Sequence, residues 1–179
     1  FVGLALASAA AIALAPLLPG TLAPLTPQGA TSLRPSWNVA LTLAAVFCQM
    51  AAIGALWAFL EPLGTRAGFS PAAAQTIVSG ALACQVLGGL AATATVARLP
   101  PAATLAVGQA ILAAIAVAIH VLPVPAPVAF AALSGVFGFV WLFLMPFHIG
   151  LAFRADAAGR VAVLAPAAQL TGSAFGPLV

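Results

Sequence analysis

Charge is the property that this chain has least of. Its 179 residues include five basic and two acidic side chains, so 4% are charged, and it contains no Tyr. All five basic residues are Arg. Soluble domains carry about 25% charged residues because water must solvate their surface. With 64% hydrophobic residues and a mean hydropathy of +1.23, the composition predicts an integral membrane protein.

Several classes of function have no support in this sequence. The pI is about 10.3, but the scattered arginines form no basic patch, so we expect no nucleic-acid partner. Cys48 and Cys84 lie alone in apolar stretches, without the spacing of a disulfide framework or a metal site. The short motifs of hydrolases, metalloproteases and dinucleotide-binding enzymes do not occur. We therefore predict no enzymatic activity, no cofactor and no metal.

Long apolar stretches occupy most of the sequence. A membrane-spanning helix needs roughly 20 apolar residues at a rise of 1.5 Å each, and about six stretches meet this length. The predicted spans are residues 1–18, 37–60, 72–97, 102–122, 128–153 and 161–179. Glu61-Pro62 predicts the end of the second span, Ser70-Pro71 a capped start of the third, and Pro146 a kink in the fifth. The predicted fold class is all-α, a polytopic membrane protein with about six transmembrane helices.

The chain begins and ends inside apolar stretches, so we expect a fragment of a longer protein. Residues 1–19 form one predicted helix, residues 20–36 a proline-rich linker, and residues 37–179 a helical bundle. Cytoplasmic loops carry an excess of arginine, which sets the predicted orientation. The arginines predicted in the cytoplasm are Arg34, Arg98, Arg154 and Arg160, and Arg66 is predicted on the opposite side.

Polar side chains within the spans are the candidates for function, because polar groups in lipid are costly. Gln49, Gln85 and Gln169 lie within predicted spans, and Trp141 lies at a comparable depth. Amides can donate and accept hydrogen bonds without carrying a charge into the membrane. Bonds between neighbouring helices would explain the three amides as well as solute binding does.

Other polar side chains lie nearer the predicted membrane surfaces. Trp57 and Glu61 are expected at the outer interface, where Trp is a common anchor. His148 is expected near the inner interface, either solvated or as part of a stripe along the fifth span. Gly172 and Gly176 form a GxxxG pattern, which is typical of close helix packing.

The loop before the sixth span carries Asp156 and Arg160. Their spacing allows Asp156 to cap the start of that span or to pair with Arg160 across the loop. We expect a gating or docking role for this pair on the cytoplasmic face. The alternative is a solvated pair of loop charges that contributes little.

Several segments together resemble bacterial transporters of the major facilitator superfamily. The segments Gly54-Ala-Leu-Trp57-Ala-Phe-Leu-Glu61-Pro-Leu-Gly64 and Gly68-Phe-Ser-Pro71 resemble the seventh helix and the loop after it. Gly88-Gly89 and the exit at Arg98 resemble the eighth helix. Asp156-Ala-Ala-Gly159-Arg160, Pro166, Gly172-Ser173 and Gly176-Pro177 resemble the ten-to-eleven loop and the eleventh helix.

This resemblance implies that the chain holds helices six to eleven of twelve. Residues 1–19 would then be the last helix of the N-terminal half, and residues 20–36 the cytoplasmic linker between the halves. The last helix of the C-terminal bundle would be missing. The sequence departs from the family at Arg98, which is followed by Leu99-Pro100-Pro101 where the family has further Gly and Arg.

These features predict a secondary transporter that moves a small organic solute by alternating access in a bacterial inner membrane. The expected substrate-binding residues are Gln49, Gln85, Trp141 and Gln169, and the expected gating or coupling residues are Glu61, Arg98, His148, Asp156 and Arg160. The expected partners are the lipid bilayer, the solute and the N-terminal half of the same chain, and coupling to protons is left open. The alternative is a non-transporting membrane component, either a structural subunit or the membrane part of a receptor or enzyme.

Overall fold

The computed structural model describes residues 36–156 and 159–178, which form helices joined by short turns. The elements are α1 (Trp37–Ala58), α2 (Leu60–Arg66), α3 (Pro71–Thr95), α4 (Pro101–Val121), α5 (Pro127–Ala155), α6 (Arg160–Phe175) and a 3-10 turn (Gly176–Leu178). Within these residues the fold is all-α, as predicted. The predicted first span and linker, with Arg34, lie outside the described residues.

Five of the described helices are long and apolar enough to cross a membrane. They are α1, α3, α4, α5, and α6 together with the 3-10 turn that continues it. Large apolar side chains are exposed along them, for example Val86 and Leu90 on α3 and Val117 on α4, each about 60% exposed. Such surfaces are suited to lipid, so the chain is a polytopic helical membrane protein.

The helix starts follow the local sequence signals. The Ser36 and Ser70 hydroxyls accept hydrogen bonds from the backbone N–H groups of Val39 and Ala73, both at 3.3 Å, and so cap α1 and α3. Proline opens α3, α4 and α5, where its missing N–H has no partner to lose. The predicted capped start at Ser70-Pro71 is confirmed.

The predicted end of the second span at Glu61-Pro62 is wrong. The helix is interrupted only at Phe59 and resumes as α2, which runs to Arg66. Pro62 lies in the first turn of α2. Proline is tolerated there because the backbone N–H groups of a first turn have no carbonyl partner within their own helix. The helical rod that begins at Trp37 is therefore one turn and a half longer than the sequence predicted.

Helix α5 is the centre of the bundle. It packs extensively along α3, and it also contacts α4, α1 and α6. The second extensive pair is α1 with α6. Phe130, Phe137 and Phe147 on α5 are fully buried, so one side of this helix supplies much of the core.

Glycines bring the two extensive helix pairs into backbone contact. A Cβ atom on Gly88 of α3 would overlap the carbonyl oxygen of Phe139, and one on Gly138 of α5 would overlap that of Ala81. Small residues at such places let helices approach closely in a membrane, where van der Waals packing holds them together.

The α1–α6 contact is built in the same way. A Cβ on Gly54 of α1, or on Gly172 or Gly176 of α6, would collide with the backbone of the opposite helix. The GxxxG pattern at Gly172 and Gly176 is thus a packing contact, as its spacing indicated.

Candidate functional site

Two tryptophans meet at the middle of the bundle. The rings of Trp57 and Trp141 lie edge to face, with centroids 5.4 Å apart and planes at 69°. Phe137 lies one turn before Trp141, with centroids 5.9 Å apart. Trp141 is the central residue of the 29-residue α5, so Trp57 lies near mid-depth. The expected place for Trp57 at the outer interface is wrong, because the helix continues beyond it as α2.

Gln169 reaches this tryptophan pair through Met145. Its Nε2 group donates to the Met145 Sδ atom at 3.7 Å. Met145 lies one helical turn after Trp141, so the side chains of Trp141, Met145 and Gln169 form one cluster between α5 and α6. A thioether is a weak acceptor, and this amide is therefore held by a weak bond.

Gln85 lies on α3 between Ala81 and Gly88, the residues at which α3 touches the middle of α5. It is therefore level with the region one turn before Trp141. Its Nε2 group is buried and has no hydrogen-bond partner among the described residues. A buried amide donor without a partner is costly, which makes this position a place where an added acceptor would be stabilised.

Gln49 lies apart from the tryptophan pair. It is 3% exposed, and its Oε1 atom accepts a hydrogen bond from Nε2 of Gln109 on α4. Gln109 also lines a cavity of about 120 Å3 between α1 and α4, together with Ile53 and Phe137. The structure thus groups Trp141 with Gln169, brings Gln85 level with them, and assigns Gln49 to a contact that the sequence analysis missed.

The Gln49–Gln109 contact predicts a double-mutant result. Gln109→Leu leaves the buried Gln49 amide without a partner on either atom, so we expect a loss of about 1 to 3 kcal/mol of stability. Replacing both residues by Leu removes the polar groups together and should restore stability close to wild type. Unfolding of the purified protein in detergent, followed by circular dichroism, measures both. A double variant less stable than Gln109→Leu would contradict the pairing.

The five expected gating or coupling residues lie in four separate places. Glu61 is exposed at the start of α2, and its Oε1 accepts a hydrogen bond from Nε2 of Gln75 at 3.4 Å. Arg98 is exposed just beyond the end of α3. His148 is 1% exposed on α5. Of the two expectations for this residue, the solvated one is wrong, and His148 lies on the same buried side of α5 as Ser134, as the stripe along the fifth span predicted.

Asp156 caps the start of α6 and also forms an ion pair with Arg160, as their spacing allowed. Asp156 Oδ2 accepts hydrogen bonds from the Arg160 backbone N–H at 3.0 Å and from Nε at 2.9 Å, while Oδ1 accepts from Nη2 at 2.8 Å. The carboxylate therefore satisfies one of the free N–H groups at the start of α6 and forms a bidentate pair with the guanidinium. This ties the end of α5 to the start of α6.

Two variants separate the cap from the ion pair. Arg160→Ala removes the guanidinium but keeps the backbone N–H that Asp156 caps, so thermal stability should fall only slightly. Asp156→Ala removes both bonds and should lower the melting temperature further. If the pair acts in gating, Arg160→Ala should also slow transport while leaving solute affinity near wild type. A large loss of affinity with an unchanged rate of conformational exchange would contradict the gating role.

A repeated pattern links α1 and α5. Gly54-x-x-Trp57-x-Phe59-Leu60-x-Pro62 recurs 84 positions later as Gly138-x-x-Trp141-x-Phe143-Leu144-x-Pro146. The two tryptophans of the pair are therefore equivalent positions of one motif, and the first glycine of each copy makes the backbone contact with a neighbouring helix. This pattern is visible in the sequence when the second span is aligned with the fifth.

The same separation of 84 positions relates α3 to α6. Gln85-x-x-Gly88 recurs as Gln169-x-x-Gly172, and in each helix the glycine makes the close backbone contact. We call the segments 54–88 and 138–172 the first and second repeat. The two extensive helix pairs, α1 with α6 and α3 with α5, each join one helix of the first repeat to one helix of the second.

The two repeats run in opposite directions. Trp57 touches Trp141 near the middle of α5, while Thr42 near the start of α1 lines a cavity with Leu151 near the end of α5. Helices α1 and α5 are thus antiparallel, and the tryptophan pair is one of their contacts. Repeats of opposite direction are the internal symmetry found in many transporter folds.

The two ends of the α1–α5 pair differ in structure. At one end the backbone N–H of Ala126 donates to the carbonyl of Ala67 at 3.0 Å, and the nearby cavity measures only about 10 Å3. Thr42 lies 84 positions before Ala126, and Leu151 lies 84 positions after Ala67, and both are at the other end. There a cavity of about 490 Å3 opens, lined by Asn38, Leu41, Thr42, Ala45, Leu151, Arg154 and Ala155. We call these the closed end and the open end.

No protein-family model, curated protein or solved structure matches this chain. Within residues 36–156 and 159–178, no three His, Cys, Asp or Glu side chains come together as metal ligands.

Proposed function

We propose that this chain forms part of a secondary transporter that carries a small organic solute across a membrane by alternating access. The observation that carries the proposal is the inequality of the two ends of the α1–α5 pair. Ala126 and Ala67 are hydrogen-bonded at one end, whereas Thr42 and Leu151, which are related to them by the same separation of 84 positions, line a large cavity at the other. Such an arrangement has a second form of similar energy, in which the two repeats exchange their conformations.

The helix contacts support motion of this kind. Glycine contacts are smooth, because no side chains interlock across them, so helices can rock while their backbones stay together. The candidate site at the tryptophan pair lies between the closed end and the open end of α1 and α5. A solute bound there could be reached first from one end and then from the other.

The resemblance to the major facilitator superfamily agrees with this proposal. That family supplies a bacterial inner membrane as the setting, and a second half of the transporter as partner. Coupling of solute movement to protons belongs to the same proposal, with the exposed Glu61 and the buried His148 as candidate titratable side chains.

A solute screen in vesicles tests the proposal. The intact protein is reconstituted into proteoliposomes, and uptake of a panel of small organic solutes is measured with and without a pH gradient. We expect at least one solute to be taken up saturably, and faster than by empty vesicles. The matched control is Gly88→Leu, which should lose uptake because α3 and α5 can no longer meet.

Saturable solute binding without any flux would favour a receptor or another non-transporting component. Absence of both binding and flux, from protein that is folded and inserted, would favour a structural subunit. Either outcome would contradict the transport proposal.

A further inference from the structure

We propose that Trp57 and Trp141 form an aromatic platform that binds an uncharged, planar heteroaromatic solute carrying hydrogen-bond acceptors. This inference rests on the proposed transport function and specifies the chemistry of its site. It assigns a binding role to Trp57, and it extends the roles of Trp141, Gln85 and Gln169 to a defined class of ligand.

The first argument is the position of the two rings. Both tryptophans are only partly buried, although they lie near mid-depth in the bundle. A tryptophan that served packing alone would be enclosed there, as Phe130, Phe137 and Phe147 of α5 are. Edge-to-face geometry leaves ring surface available for a third aromatic ring, and Phe137 extends the same aromatic surface.

The second argument is the state of the two amides. Gln85 has a buried Nε2 with no partner among the described residues, and Gln169 has only the weak bond to the Met145 sulfur. Both amides therefore have N–H donors that a better acceptor would satisfy. These two residues are equivalent in the two repeats, as the tryptophans are, so the platform has one donor from each repeat.

The third argument is the absence of charge at this depth among the described residues. Arg66, Arg98 and Arg154 lie at helix ends or turns, and Asp156 with Arg160 lies between α5 and α6. Glu61 is exposed and bonded to Gln75. A permanent charge on the solute would have no counter-charge beside the rings, and ions are costly in a low dielectric.

Four probes test the three features separately. Quinolin-2-one is neutral, planar and carries a carbonyl acceptor. Decahydroquinolin-2-one keeps the acceptor but lacks the aromatic ring, naphthalene keeps the ring but lacks the acceptor, and N-methylquinolinium adds a charge. Binding to the full chain in lipid nanodiscs is measured by equilibrium dialysis, with empty nanodiscs subtracted. We expect quinolin-2-one to bind saturably and at least about tenfold more tightly than each of the others.

The protein supplies matched controls for each residue. Trp57→Leu and Trp141→Leu should each weaken quinolin-2-one binding by about tenfold or more, because each removes a stacking surface. Trp37→Leu is the control, since Trp37 is 78% exposed at the start of α1. Gln85→Leu and Gln169→Leu should each weaken binding by about tenfold. Thr76→Leu is their control, since Thr76 is an exposed polar residue on α3 whose hydroxyl donates to the Ala72 carbonyl of the same helix.

Folding is checked by size exclusion and circular dichroism. Should a Leu variant fail to fold, Trp57→Phe and Trp141→Phe keep the aromatic packing and are expected to weaken binding less. Quenching of tryptophan fluorescence by quinolin-2-one in the Trp37→Phe protein then reports contact with the remaining two rings. Absence of saturable binding, equal binding of all four probes, or equal loss in Trp57→Leu and Trp37→Leu would overturn the proposal.

The site and the transport function can fail independently. Binding that depends on Trp57 and Trp141, without flux in proteoliposomes, would keep the platform and reject transport. Saturable flux of some solute that is unchanged in Trp57→Leu and Trp141→Leu would keep transport and reject the platform.

Discussion

Replacing Gly88 by Ala is expected to destabilise the bundle, whereas the same change at Gly80 in the same helix is expected to stabilise it. The added Cβ at Gly88 would overlap the backbone carbonyl of Phe139, and neither backbone can rotate aside. Forcing extra atoms into such a contact costs about 1 to 3 kcal/mol. A Cβ at Gly80 meets no atom within 4 Å, so only the gain in helix propensity remains, about 0.5 to 1 kcal/mol.

Unfolding in mixed micelles with increasing denaturing detergent measures both variants under the same conditions. Gly138→Ala probes the contact from the other side, because its Cβ would overlap the carbonyl of Ala81. The double variant Gly88→Ala with Gly138→Ala should cost less than the sum of the two, since both changes push apart the same helices. Equal effects at Gly80 and Gly88 would mean that α3 and α5 do not touch through their backbones.

Filling the open end should block transport without unfolding the protein. Ala45 lines the cavity of about 490 Å3, so Ala45→Trp puts a large ring into space that is empty of described side chains. If solute enters or leaves by this end, we expect the transport rate to fall by about tenfold or more. A shift of about 1.4 kcal/mol in the equilibrium between the two conformations is enough to lower the transport rate tenfold.

Ala44→Trp is the matched control for this experiment. Ala44 is the preceding residue, is also exposed, and does not line the cavity. Solute flux in proteoliposomes and the melting temperature are measured for both variants. Equal flux in Ala45→Trp and Ala44→Trp, with both proteins folded, would show that the cavity lies off the solute path.

Much of the fold could be predicted from the sequence, because backbone polar groups in lipid must be hydrogen-bonded within a helix. The span positions follow from apolar length, and the starts at Ser36, Ser70 and the helix-opening prolines follow from capping rules. Asp156 and Arg160 were predicted to interact because a spacing of four is a local relation. The wrong end at Glu61-Pro62 shows the limit of such rules, since proline that ends one helix also suits the first turn of the next.

The candidate site was harder to predict, since it depends on which helices are neighbours. Spacing along α1 makes Gln49 a mid-span amide, but only the position of α4 decides that it meets Gln109. Trp57 seemed interfacial because the span was drawn too short. The shared motif makes Trp57 and Trp141 equivalent positions, but the motif alone does not show that they touch, since equivalent residues such as Gly54 and Gly138 contact different helices.

The repeats have a consequence for how this chain enters the membrane during synthesis. Residues 54–88 and 138–172 carry one pattern of apolar and small residues, yet they must insert in opposite orientations. The pattern itself therefore gives the insertion machinery no direction, and the flanking charges must supply it. One arginine, Arg66, follows the first helix of one copy, while Arg154 and Arg160 follow that of the other. With so few charges, the orientation of this protein depends on single residues. A few arginine substitutions would therefore be enough to make some molecules insert with inverted topology.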